Sequence, residues 1–169
     1  KIPMFEKKKY IVVIFYVISG FVFLTLIPFQ QEEFLPRLII GVFLLVWSND
    51  SAAYMVGKNF GKRKLLERIS PKKTVEGFLG GIGGSLLAAF IIFKFTEFYP
   101  LWVWLCLALI ASVFGTIGDL IQSKFKRQAG VKDSGNLMPG HGGLYDRLDS
   151  IMYASPFIYA FLLIVAYVS

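Results

Sequence analysis

Cysteine, histidine and charge are scarce in this 169-residue chain. Cys106 stands alone in an apolar run, which excludes both a disulfide framework and a cysteine metal site. It reads as a small core or lipid-facing residue. No whole-chain repeat and no low-complexity linker divides the sequence, so residues 1–169 read as one membrane domain. No signal-peptide cleavage pattern follows the first residue, Lys1, so the chain is expected to be a fragment or a renumbered product with helices upstream. Charged residues make up only 17% of the chain, against 56% hydrophobic and 17% aromatic. The mean hydropathy is +0.62. A soluble domain of this length does not normally carry so much apolar surface, and the membrane class follows.

A run of about 20 apolar residues is enough to cross a bilayer. Five runs approach that length, at about Ile11–Phe29 (broken at Pro28), Leu38–Val56, Gly77–Phe95, Leu101–Leu120 and Ser150–Val168. The expected fold is therefore all-α, a polytopic integral membrane bundle of about five transmembrane helices. If all five cross, every Lys and Arg except Arg37 and Lys94 falls on one side, out of 18 in total. Basic loops belong on the cytoplasmic side, which puts the C-terminus outside. The reading is thus a protein of the cell's inner (plasma) membrane with its chemistry facing the cytoplasm. The net charge of +7 is taken up by topology and phosphate contacts, with the lipid bilayer as a partner and no nucleic acid.

Asp50, Asp119, Asp146 and Asp149 then all fall at or near cytoplasmic helix ends. Ionised acids in or beside a membrane helix are costly and usually face a polar cavity. Asp119 is followed at offsets of three, four and seven by Gln122, Ser123 and Lys126, which share its face if the helix continues. Asp146 and Asp149 stack on the first turn of the last helix, where they either favour the positive end of its dipole or ligate a cation. We favour Asp119 and Asp146 as ligands of Mg²⁺, with Asp149 in support; Mg²⁺ takes hard oxygen ligands and often only one or two carboxylates plus substrate phosphates. A second cation remains open.

The run Pro139-Gly140-His141-Gly142-Gly143 is a glycine-rich approach to that helix and carries the only histidine. It is either an ordinary turn or a phosphate cradle of backbone N–H groups. Lys126, Arg127, Lys132 and Arg147 are the bases nearest the acids in sequence and are chosen as phosphate contacts over purely topological charges. Lys72 and Lys73 lead into the third segment as a second basic approach. Gly77/Gly81 and Gly80/Gly84 have the small-xxx-small spacing of close helix packing. Asp50, Tyr54 and Gly57 share one face of the second segment, and an acid about 10 Å from a helix end calls for a cavity.

The spaced run of Ser123, Lys126-Arg127, Lys132-Asp133, Gly135, Pro139, His141-Gly142-Gly143, Asp146-Arg147 and Asp149 resembles the signature of the CDP-diacylglycerol synthases, or phosphatidate cytidylyltransferases. Asp50-Ser-Ala-Ala-Tyr-x-x-Gly-Lys and Ser70-Pro-Lys-Lys-Thr-x-Glu-Gly resemble the same family, so the likeness runs from about residue 50 to 150. Met138 departs mildly, standing where another aliphatic residue is expected. The resemblance implies an integral membrane enzyme that joins phosphatidic acid to CTP with Mg²⁺, giving CDP-diacylglycerol and pyrophosphate. It implies further N-terminal helices and a homodimer. Under it, Asp119, Asp146, Asp149, Lys126 and Arg147 are the catalytic set. Asp50, Lys72, Lys73, Ser123, Arg127, Lys132, Asp133, His141, Gly142 and Gly143 contact substrate. Two other classes are alternatives: an ion-binding transporter or channel, and another membrane phosphotransferase acting on lipid phosphates. The Asp-Gly-x-x-Ala-Arg arrangement of the CDP-alcohol phosphotransferases is not seen.

Overall fold

A computed structural model describes residues 13–30, 33–96, 98–131, 134 and 145–168. A π-helical turn, Val13–Ile18, runs into α1, Ser19–Leu26. Three long helices follow: α2, Pro36–Phe60; α3, Val75–Phe95; and α4, Leu101–Gln128. The last is α5, Tyr145–Val168. Four of the helices are long and apolar enough to cross a membrane, with α5 counted from Leu148. The all-α membrane bundle expected from the sequence is what is found.

Two small antiparallel pairings interrupt the helices. β1, Phe29–Gln30, pairs with β2, Glu33–Phe34. β3, Lys64–Leu66, pairs with β4, Ser70–Thr74, with Lys64 opposite Thr74 and Leu66 opposite Ser70. This second hairpin corrects the reading of Ser70–Thr74 as a simple approach to a helix. Pro71 is tolerated there because a two-stranded ribbon has free edges.

The helix ends follow local rules. Pro36 opens α2 at a position where a missing N–H costs nothing. Thr74 caps α3, its hydroxyl accepting from the Gly77 N–H at 3.1 Å. α4 continues eight residues past the expected Leu120 and stops at a Schellman turn. There Gly130 takes φ 73°, its N–H donates to Arg127 O, and Val131 N–H donates to Lys126 O. Pro156 lies inside α5 and cannot donate to Met152 O; the Ser155 hydroxyl lies 3.0 Å from that carbonyl and 2.8 Å from Gly20 O.

The core is a layer of side chains from α2, α4 and α5 around Trp104, which is fully buried with Leu38, Val42, Leu45, Leu107 and Ile158. Lipid tails are as apolar as these side chains, so close packing rather than water exclusion holds such a bundle. The glycines of α3 serve this. A Cβ at Gly80 would lie 2.5 Å from Val56 Cβ, one at Gly81 2.7 Å from Asn49 Oδ1, and one at Gly84 would strike Ala52. All three face α2, as the small-xxx-small spacing predicts. Gly83 faces open space.

Gly80→Val should therefore destabilise the bundle by about 1–3 kcal/mol or more by wedging α2 from α3. Gly83→Ala should be neutral or stabilise by up to about 1 kcal/mol through helix propensity alone. Thermal unfolding in detergent, followed by tryptophan fluorescence, separates the two.

Candidate active site

One end of the bundle gathers most of the charged residues of the described chain. α2 supplies Asn49, Asp50, Ala53, Tyr54, Gly57 and Lys58, an i, i+4, i+8 face turned toward α3 and α4. The hairpin supplies Lys64, Leu65, Lys72, Lys73 and Thr74 as a roof, and Gly77, Phe78, Thr116 and Asp119 complete the wall. These residues enclose a cavity of about 570 Å³. Its depth comes from backbone contact below it, where a Cβ at Gly77 would lie 3.1 Å from Gly57 Cα.

The roof is fastened where β3 begins and β4 ends. The Glu76 carboxylate accepts from the backbone N–H groups of Lys62 (3.0 Å) and Arg63 (3.1 Å). Val75 N–H donates to Arg63 O at 2.9 Å. Thr74, which ends β4, is also the cap of α3. The lysines of the hairpin thus hang from a braced frame.

Inside the cavity Lys73 Nζ pairs with Asp119 Oδ2. Asp119 Oδ1 accepts from the Ser123 hydroxyl at 3.3 Å, one turn along α4. Asp50 accepts from Asn49 Nδ2 at 3.3 Å and lies within the electrostatic reach of both Lys73 and Asp119. Asp149, on α5, is buried, accepts from Ser150 N–H at 2.7 Å, and feels the charges of Asp119, Lys126 and Asp50. Three carboxylates from three helices therefore share one neighbourhood. Asn49 Oδ1 is buried at the cavity wall without a hydrogen-bond partner among the described residues.

A second ion pair lies further along the α4–α5 contact. Lys126 Nζ donates to Asp146 Oδ1 at 2.8 Å, while Asp146 Oδ2 accepts from Ser134 N–H (2.8 Å) and Ser134 Oγ (2.9 Å). The pair is well covered, with side-chain exposures of 18% and 10%. Asp146 ties three parts of the chain together at this point.

Of the residues expected from sequence, Asp50, Lys72, Lys73 and Asp119 line the cavity. Ser123 touches Asp119, and Asp149 stands beside it. Lys126 and Asp146 form the neighbouring pair, and Arg127 is exposed at the end of α4. Arg147 belongs to the first turn of α5. Lys132, Asp133, His141, Gly142 and Gly143 lie outside the described residues. Asn49, Lys58, Lys64, Thr74 and Thr116 are wall residues that sequence reasoning left out of the site. Lys58 and Thr116 carry a signal, since they stand at offsets of eight and three from Asp50 and Asp119 on the same helical faces. Lys64 is brought in by a strand pairing the sequence did not announce.

No set of three or more His, Cys, Asp or Glu among the described residues forms a ready-made metal cage. A hard divalent ion commonly takes only one or two carboxylates and completes its shell with water and substrate phosphate, and the Asp119 carboxylate in the cavity wall is of that donor type.

The polar end of the bundle is where comparison with known proteins bears. The model of the cytidylyltransferase family matches residues 3–165. A phosphatidate cytidylyltransferase of Staphylococcus aureus (strain COL) is 49% identical over 121 residues, covering 71% of this chain and 46% of that protein. The protein of the same name from Staphylococcus saprophyticus is equally similar. That of Staphylococcus epidermidis is 46% identical over 123 residues, covering 72% of this chain and 47% of its own. The chain spans about half the length of these curated relatives.

Glu76→Gln should speed hydrogen exchange at the Lys62 and Arg63 amides while leaving exchange in the centres of α2 and α3 unchanged. Mass-spectrometric hydrogen exchange on the detergent-solubilised protein reads both.

Proposed function

The chain belongs to the cytidylyltransferase family, and from that premise we propose that it transfers the cytidylyl group of CTP to phosphatidic acid, giving CDP-diacylglycerol and pyrophosphate. The observation that carries the reading is the lysine-roofed cavity with Asp119 in its wall, at the bundle end where the basic residues cluster. The names of the relatives supply the substrates.

The chemistry needs no protein nucleophile. An oxygen of the lipid phosphate attacks the α-phosphorus, the bond from that phosphorus to the α–β bridging oxygen breaks, and pyrophosphate leaves with the electron pair. The protein's work is alignment and charge stabilisation. Lys64, Lys72 and Lys73 hang over the cavity where the phosphates would lie, and Lys58 borders it from α2. Lys126 with Asp146 fixes the approach from α5. Mg²⁺, when bound, would supply positive charge to offset the negative charge developing on the departing pyrophosphate. Asp119 would hold it with an acid of α5, Asp149 being the one whose charge Asp119 meets and Asp146 standing one turn before it. His141, Gly142, Gly143, Lys132 and Arg147 extend the phosphate contacts in this reading. The same reading sets the cavity toward the cytoplasm in the inner membrane, lets phosphatidic acid arrive sideways from the bilayer, and includes a homodimer.

Purified protein given CTP, phosphatidic acid and Mg²⁺ should release pyrophosphate only when both substrates are present. No release, or release without the lipid, overturns the proposal. Asp119→Asn should lower kcat by at least about a hundredfold, the order a lost charge contact to the reacting group costs, with the protein still inserted and folded.

A further inference from the structure

Lys73 sits among acids that a divalent cation would also seek. Its ammonium pairs with Asp119, and its charge reaches Asp50. Asp119 also lies in the field of Asp149. The ammonium thus relieves the Asp119 and Asp50 carboxylates at the cavity. The pair is only partly open, with side-chain exposures of 29% and 28%. A divalent cation arriving alone must push the ammonium off Asp119 and leave it without a carboxylate partner, which is costly in a half-closed cavity.

A triphosphate changes that balance. Its oxygens offer Lys73 a new anionic partner inside the same cavity. The backbone of Lys73 is held by the pairing of β3 with β4 and by the Thr74 cap, whereas its four-carbon stem is free to swing. We propose that Lys73 is an exchange residue: its ammonium guards Asp119 against divalent cations until nucleotide phosphates draw it away, so that cation and nucleotide bind with positive coupling. The inference rests on the cytidylyl-transfer reading for its nucleotide and on the ion pair alone for its guard. Coupling of this kind is reciprocal, so whatever factor the nucleotide gives the cation, the cation gives the nucleotide.

The test uses the full chain in detergent, Mn²⁺ as the probe, and the electron paramagnetic resonance signal of free Mn²⁺ as the readout. Without nucleotide, Lys73→Met should bind Mn²⁺ at least about tenfold more tightly than wild type, within the usual range of coupling factors. Lys73→Gln should do the same, and Lys73→Arg, which keeps the guarding charge, should match wild type. Adding Asp119→Asn to Lys73→Met should abolish the gain, which assigns the bound ion to this carboxylate. With a non-transferable CTP analogue at equal concentration, the nucleotide-induced gain in Mn²⁺ affinity should be larger in wild type than in Lys73→Met by that same factor. Equal or weaker Mn²⁺ binding by Lys73→Met without nucleotide overturns the guard, as does a gain that survives Asp119→Asn. Failure of the analogue to bind wild type overturns the cytidylyl-transfer reading instead, and the nucleotide-free comparison still decides the role of Lys73.

Discussion

A carboxylate carried on a membrane-spanning helix has to find a compensating charge, and the placement of that charge organises this end of the molecule. For Asp119 the charge comes from Lys73, which is not on a helix at all but on the second strand of a hairpin. The pairing pulls the hairpin down over α2 and α3, and the cavity is the space left between roof and floor. Glu76 and Thr74 brace that roof against the first turn of α3, and the Lys73–Asp119 pair joins it to α4. Beneath it, Gly57 and Gly77 let two helix backbones touch, which gives the cavity a floor made of main chain rather than side chains.

The two ion pairs differ in what they do. Lys126–Asp146 is the more enclosed, and Asp146 is also held by two groups of Ser134. Removing either partner would strand a buried charge, which makes this pair a fastening between α4 and α5. Lys73–Asp119 is more open and borders empty volume, so its partners have somewhere to go. A fixed pair and an exchangeable pair, set along the same helix, suit a site that must hold its frame while substrates replace internal contacts.

The long helices were legible because their signals are redundant: unbroken apolar runs, alternation of basic loops, and Pro or Gly at the boundaries. The face shared by Asp119, Ser123 and Lys126 was legible too, conditional on α4 continuing, and it does so until Gly130 turns it. The seam of α3 glycines was read correctly from spacing alone. What was not legible was the hairpin. Lys64 looks like one more member of a basic loop, and only its pairing with Thr74 brings it over the cavity beside Lys72 and Lys73. Nor could spacing reveal that Asp149 is buried in the field of Asp119 while Asp146 pairs with Lys126, because two acids three residues apart on one helix face are equivalent until the crossing of α4 and α5 is known. Gly118 fixes that crossing: a Cβ there would lie 2.9 Å from Asp149 O and 2.5 Å from Tyr153 Cβ.

The same glycine links the first helical segment to the site. Tyr16 donates its hydroxyl proton to Gly118 O at 3.2 Å, and its ring packs against Phe125 and Tyr153. One turn on, Gly20 packs against Met152 of α5. The first segment thus presses on the back of α4 at the residue preceding Asp119, on the side away from the cavity. Because interiors packed this closely transmit small displacements rather than absorb them, the orientation of the Asp119 carboxylate depends on a helix that contributes nothing to the cavity wall. A bulkier residue at Gly118 would act on both neighbours at once, parting α4 from α5 and turning Asp119 relative to Lys73 and Asp149, even though no polar atom of the site had been changed.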